Sequence, residues 1–145
     1  MSDLFNKYDE SIRLSYEYSF RMLMHLKNII SAYEKVDGND ELANEVYRDS
    51  IIKKYEMLEE LVWKLLSKFF KSRGLELNNP RSCYKQAFKE GLIEDISIWN
   101  DVLGSRNSTA HIYNEEDYEK IKGKIINEYT EAVEKLLLKL KERVM

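Results

Sequence analysis

The chain has 145 residues, 43% of them apolar and 34% charged, with a formal net charge of −3. That length fits one domain, residues 1–145, around one core, and the negative balance argues against a protein that coats nucleic acid indiscriminately. No apolar run approaches the roughly 20 residues of a membrane span, so no membrane partner is expected, and the lone Cys83 can form no internal disulfide.

The opening "MSDLFNKYDE" is charged at once, which leads us to expect no signal peptide and a reducing cytoplasm as the setting. A first helix is predicted from about Asp3 to Tyr33. Its stripe Phe5, Tyr8, Ile12, Tyr16, Ser19, Leu23, Leu26, Ile30, Tyr33 steps by three or four, with one Ser in it. "DGND" at 37–40 stops it; Gly38 suits a left-handed residue after a helix, and Asp40 suits a cap for the next. His25 reads as structural.

The second helix is predicted over Glu41 to Arg73. Ile51, Tyr55, Leu58, Val62, Leu65 and Phe69 make a heptad seam, widened by Leu61, Leu66 and Phe70. Gly74 ends it. Asn79 as cap and Pro80 at the first position start a short helix to about residue 90, closed by Gly91. Cys83 on it reads as a buried structural thiol. Another short helix follows Asp95 and leads into "SRNSTAHIY", residues 105–113. Asn114, with Asp117 three positions on, looks like the cap of a final helix running to about Arg143, with Ile121, Ile125, Tyr129, Ala132, Leu136 and Leu140 inward. Nothing reads as a strand, and the ten Tyr read mainly as packing residues. The expected fold is all-α, an up-and-down bundle of about four to five helices.

Charge is unevenly placed. Residues 64–89 hold Lys64, Lys68, Lys71, Arg73, Arg81, Lys85 and Lys89 against Glu76 alone, whereas residues 90–119 hold eight acids against Arg106. Such a step marks a phosphate-binding face or a partner interface, or simply solvated helix faces.

The chemistry concentrates in residues 105–113. Read as a helix end, the segment puts Asn107 and His111 on one face as an i, i+4 pair, and Arg106 and Tyr113, seven apart, likewise share a face. A His in a last turn is favoured in its protonated form by the helix dipole. An Arg can hold two phosphate oxygens in a fork and a His can move a proton. The bland alternative is a polar helix end that satisfies its own carbonyls. His and Cys clusters and spaced acid sets are absent, so neither a metal nor a cofactor is expected.

"RNSTAH" followed by "IY" resembles the R-x4-H-x-Y signature of HEPN-domain proteins. The preceding "IIKKYEMLEELVWKLLSKFFKSRGLELNNPRSCYKQAFKEGLIED", then "W" and "SRNSTAHIY", is similar to one branch, the nucleotidyltransferase substrate-binding protein family, over roughly residues 48–140. Tyr55 stands where Phe is usual. The resemblance implies a HEPN-like helical homodimer paired with a cognate minimal nucleotidyltransferase, with RNA or a nucleotide as ligand. In many such pairs the HEPN protein is a metal-independent ribonuclease toxin, silenced by transfer of AMP to the motif Tyr. Carried onto this chain, Arg106 and His111 are catalytic, Asn107 orients, and Tyr113 is the regulatory AMP acceptor. Glu56, Glu60 and Lys64 match the pattern and are possible supporting residues; Glu60 and Lys64 also read as an outer-face ion pair. Trp63, one position off the seam, reads as a helix or subunit contact. The alternative is a non-catalytic nucleotide- or substrate-binding subunit of the transferase, and a third reading is a dimer whose motif only holds the interface. Two copies about a two-fold axis would supply the acid and the base that one His cannot.

Overall fold

The 3–4 spacing of Ile12, Tyr16, Leu23, Leu26 and Ile30 puts these side chains on one face of α1 (Ser2–Tyr33), and all are buried where α1 packs along α2 (Glu41–Ser72). This is a computed structural model, which describes the backbone of residues 2–109 and 114–144 and the side chains of residues 10–106 and 114–144. Phe5 and Tyr8 lie outside the described side chains. Ser19 fits the buried stripe because its hydroxyl donates to the Ser15 carbonyl at 2.9 Å. His25 is exposed, so it is not a packing residue.

The turn between α1 and α2 differs from expectation at Gly38, which does not adopt a left-handed conformation. The helix ends instead by tightening, with Lys35 N–H to Ala32 O at 3.1 Å and Val36 N–H to Tyr33 O at 3.0 Å. Asp40 caps α2 by accepting from the Ala43 N–H at 3.0 Å. The heptad seam from Ile51 to Phe69 is buried throughout, with Leu61 only half-buried. Gly74 (φ 85°) closes α2 in a Schellman motif: Leu75 N–H reaches Phe70 O at 2.9 Å and Gly74 N–H reaches Lys71 O at 3.0 Å.

Asn79 caps α3 (Pro80–Lys89) by accepting from Ser82 N–H at 2.9 Å, and Gly91 (φ 77°) closes it the same way as Gly74. Cys83 is fully buried there and burial pushes its thiol up to about 11, as suits a packing residue. α4 (Ile96–Thr109) follows, then α5 (Glu115–Lys124), capped by Asn114, which accepts from Asp117 N–H at 2.9 Å. α5 continues through a single π turn (Ile125–Tyr129) into α6 (Thr130–Val144). Counting these last segments as one interrupted helix, the described residues form five helices and no strand, an all-α bundle.

The π turn is a feature the spacing did not announce. Thr130 gives both its N–H and its hydroxyl, the latter at 2.7 Å, to the Ile125 carbonyl. Tyr129 is fully in the core, as its spacing predicts; past the extra residue Val133 and Leu137 are core residues while Ala132 is only half-buried.

Candidate functional site

Arg106 stands near the C-terminal end of α4, facing the acidic flank of α2. Its Nη1 pairs with Glu59 Oε2, and its Nη2 donates to Glu60 Oε2 at 3.1 Å. Glu59 is buried, and its other oxygen accepts from the Tyr84 hydroxyl. The guanidinium is thus held by a carboxylate that is itself held from α3, an arrangement that fixes its plane. Burial draws Arg106 down from the ordinary guanidinium value, but it remains a cation at neutral pH.

One residue earlier on α4, Ser105 is buried with its hydroxyl 2.8 Å from Tyr129 OH, and Tyr129 OH donates to Asp101 at 2.5 Å. With the Tyr129 proton committed to Asp101, Ser105 is the donor to Tyr129. Lys124 Nζ lies 3.1 Å from Asp101. The Tyr129 hydrogen bond, then Lys124, holds the Asp101 carboxyl below its usual range, while burial and then Asp101 push the Tyr129 phenol above its own. The π turn therefore pins the last turns of α4, and with them Arg106, to the C-terminal helix.

Between these groups lies a cavity of about 190 Å³. Tyr55, Glu56, Glu59 and Glu60 of α2 line one side, Ser105 and Arg106 another, and Val102, Ile121 and Tyr129 the rest. Three carboxylates against one guanidinium make the described lining acidic. The Tyr55 hydroxyl is buried without a hydrogen-bond partner, and its ring lies 5.4 Å from that of Tyr129. Arg106 also lines a second, more open groove of about 270 Å³ with Asn79, Pro80, Arg81 and Leu103. Arg106 thus stands between an acidic cavity and a basic groove.

The residues singled out in the sequence fall as follows. Arg106, Glu56 and Glu60 are brought together at the cavity. Lys64 points outward, 3.5 Å from Glu60, and does not line the cavity. His111, Tyr113 and the side chain of Asn107 lie outside the described residues. Trp63 is half-buried against the core and its Nε1 is buried without a partner. Sequence reasoning passed over Glu59, Ser105 and Asp101, and read Tyr129 as an inward packing residue without its hydrogen bonds. Among the described residues no group of three or more His, Cys, Asp or Glu side chains is arranged to hold a metal ion, and no helix is long and apolar enough to cross a membrane.

A family model described as nucleotidyltransferase substrate binding protein like matches residues 14–142. No curated protein matches the chain.

Proposed function

The chain belongs to the nucleotidyltransferase substrate-binding protein family, and from that premise we propose that it is the HEPN-type effector subunit of a two-component system, a metal-independent ribonuclease acting as a homodimer and controlled by its cognate minimal nucleotidyltransferase. The supporting observation is the setting of Arg106: locked by Glu59 and Glu60 on one side, it borders a groove that also holds Arg81 on the other. A preorganised guanidinium beside a second Arg is suited to a phosphodiester, whose charge grows at the transition state.

In this reading one His111 takes the proton of the ribose 2′-hydroxyl. The 2′-oxygen forms its bond to phosphorus, the bond from phosphorus to the 5′-oxygen breaks, and a second His111, from the other copy, protonates the leaving oxygen. The products are a 2′,3′-cyclic phosphate and a 5′-hydroxyl, and no metal enters the balance. Arg106 stabilises the phosphorane, Asn107 orients, and Tyr113 carries AMP in the silenced state.

The test is incubation with total RNA in EDTA. The wild type is expected to cleave, leaving 2′,3′-cyclic ends, and Arg106→Ala and His111→Ala each to lose about 100-fold or more in rate. Transferase with ATP is expected to add one AMP mass at Tyr113 and abolish cleavage.

A second reading is favoured by the same ion pairs. Glu59 and Glu60 neutralise much of the Arg106 charge, as suits a subunit that binds a nucleotide without cutting. It takes over if unmodified wild type and variants alike leave RNA intact while His111→Ala weakens nucleotide or transferase binding.

A further inference from the structure

The chemistry of the cavity is more specific than its size. Its 190 Å³ is below the roughly 300–1,000 Å³ of pockets for drug-sized ligands and suits one ring system. The three carboxylates against one guanidinium repel a phosphate from its interior. What they favour is a ligand edge rich in N–H donors.

Two groups on adjacent residues of α2 are unspent. The Tyr55 hydroxyl is buried without a partner among the described residues, as are Tyr16 OH and Trp63 Nε1, and of these three residues Tyr55 is the one that lines the cavity. The Glu56 carboxylate, half-exposed on the same wall, takes part in no hydrogen bond or ion pair among the described residues. Glu59 and Glu60, by contrast, are already occupied by Arg106.

The neighbouring groove has the opposite sign. Arg81, exposed and in no ion pair among the described residues, lines it with Arg106 beside the N-terminal turn of α3. An acidic, donor-seeking cavity next to a basic groove, with Arg106 lining both, is the polarity of a nucleotide: a neutral base on one side and its phosphate on the other.

Among the bases, guanine alone presents two parallel donors, N1–H and the N2 amine, to a single carboxylate, with an acceptor, O6, beside them for a hydroxyl. Adenine and cytosine place a ring acceptor next to their one amine, and uracil offers one imino donor between two carbonyls. We propose that the cavity beside Arg106 is a guanine subsite. Glu56 receives N1–H and the N2 amine, the Tyr55 hydroxyl donates to O6, and the 3′-phosphate of that nucleotide lies in the groove of Arg81 and Arg106. The proposal rests on the reading of this face as an RNA site, and it assigns cleavage to phosphates that follow guanosine.

Calorimetric titration of the full-length protein with the four nucleoside 3′-monophosphates and with guanosine tests it. The guanosine nucleotide is expected to bind about tenfold or more tightly than the other three. Tyr55→Phe, which removes a hydroxyl that has no partner to lose, and the isosteric Glu56→Gln are each expected to weaken it about tenfold while circular dichroism melts hold. Arg81→Ala is expected to leave guanosine affinity unchanged and to remove the gain from the phosphate. Equal binding of the four nucleotides, or indifference to both cavity variants, overturns the subsite. RNA cut without regard to guanosine overturns it while leaving the ribonuclease reading in place. Guanosine-selective binding with no RNA cut does the reverse.

Discussion

Glu59 gives one carboxylate oxygen to Arg106 and the other to the Tyr84 hydroxyl. Its side chain is 4% exposed and that of Arg106 is 31% exposed, so the pair is partly screened by solvent. Glu59→Gln keeps an acceptor for one partner and removes the charge, and it is expected to cost about 2–3 kcal/mol, below the 3–5 of a fully buried pair. In a chain of this size that lowers the melting temperature by about 5–10 °C in a calorimetric scan. Under the proposed ribonuclease reading the same variant is expected to slow RNA cleavage, because Arg106 loses the group that fixes its plane. Asp101 gives a pH signature. Its folded-state carboxyl sits below its ordinary value, first because Tyr129 donates to it. The stabilisation is therefore complete above about 3.9 and is lost as the pH falls through the folded value. Urea melts of wild type and Asp101→Asn are expected to differ by a constant amount above about pH 5 and to converge below pH 4; a gap that widens with acid contradicts the assignment. At this scale Arg106 could be singled out because it opens a local sequence motif, residues 106–113. Glu59 was not, because its bond to Arg106 spans 47 positions and a Glu next to a heptad seam reads as solvated.

The caps of α2, α3 and α5 could be read from the chain because Asp40, Asn79 and Asn114 each act on an N–H three residues away. The π turn could not, since the groups that bond the Tyr129 hydroxyl at its end, Ser105 and Asp101, both lie on α4. The tie between α2 and α5 is of the same non-local kind. Arg48 on α2 is 4% exposed, pairs with Glu115 and lies 3.9 Å from Glu119, with its guanidinium 4.8 Å from the centre of the Tyr118 ring. It anchors the first turn of the element that begins directly after the motif segment. Its acidic partners Glu115 and Glu119 are 76% and 51% exposed, so removing Arg48 strands no charge in the interior. The loss is mainly of packing around a buried aliphatic stem and of the contact with the ring. Arg48→Met, which refills the space, is expected to cost about 1 kcal/mol, and Arg48→Ala about 2–3 kcal/mol. Equal losses from the two variants in urea melts would mean that the ion pairs, not the packing, carry the tie.

Across the described residues five of the eight acids of residues 90–119 are spent internally: Glu90 on Arg143, Glu94 on Lys139, Asp101 on Lys124, Glu115 on Arg48 and Glu119 on Lys122. They do not neutralise the basic segment, where Lys71, Arg81, Lys85 and Lys89 are exposed and in no ion pair among the described residues. The segment's exposure was thus legible in the sequence, but which of its charges meets a ligand was not, because that depends on α3 packing beside α4. Of the described basic residues in that segment, it is Arg81 that lines the groove with Arg106. Under the proposed reading this makes the salt dependence of RNA binding diagnostic. Each phosphate neutralised on a single strand contributes a slope of about −0.7 in log K against log salt. Arg81 contributes in full, and Arg106, already facing two carboxylates, contributes less, so the expected slope per protomer lies between about −0.7 and −1.4. Arg81→Ala is expected to make it shallower by about 0.7, and Lys85→Ala, on the exposed side of α3, to leave it unchanged. A slope near −4, reduced by each lysine in turn, would place the strand along the whole basic segment from Lys64 to Lys89 and take the phosphate away from the Arg81–Arg106 groove.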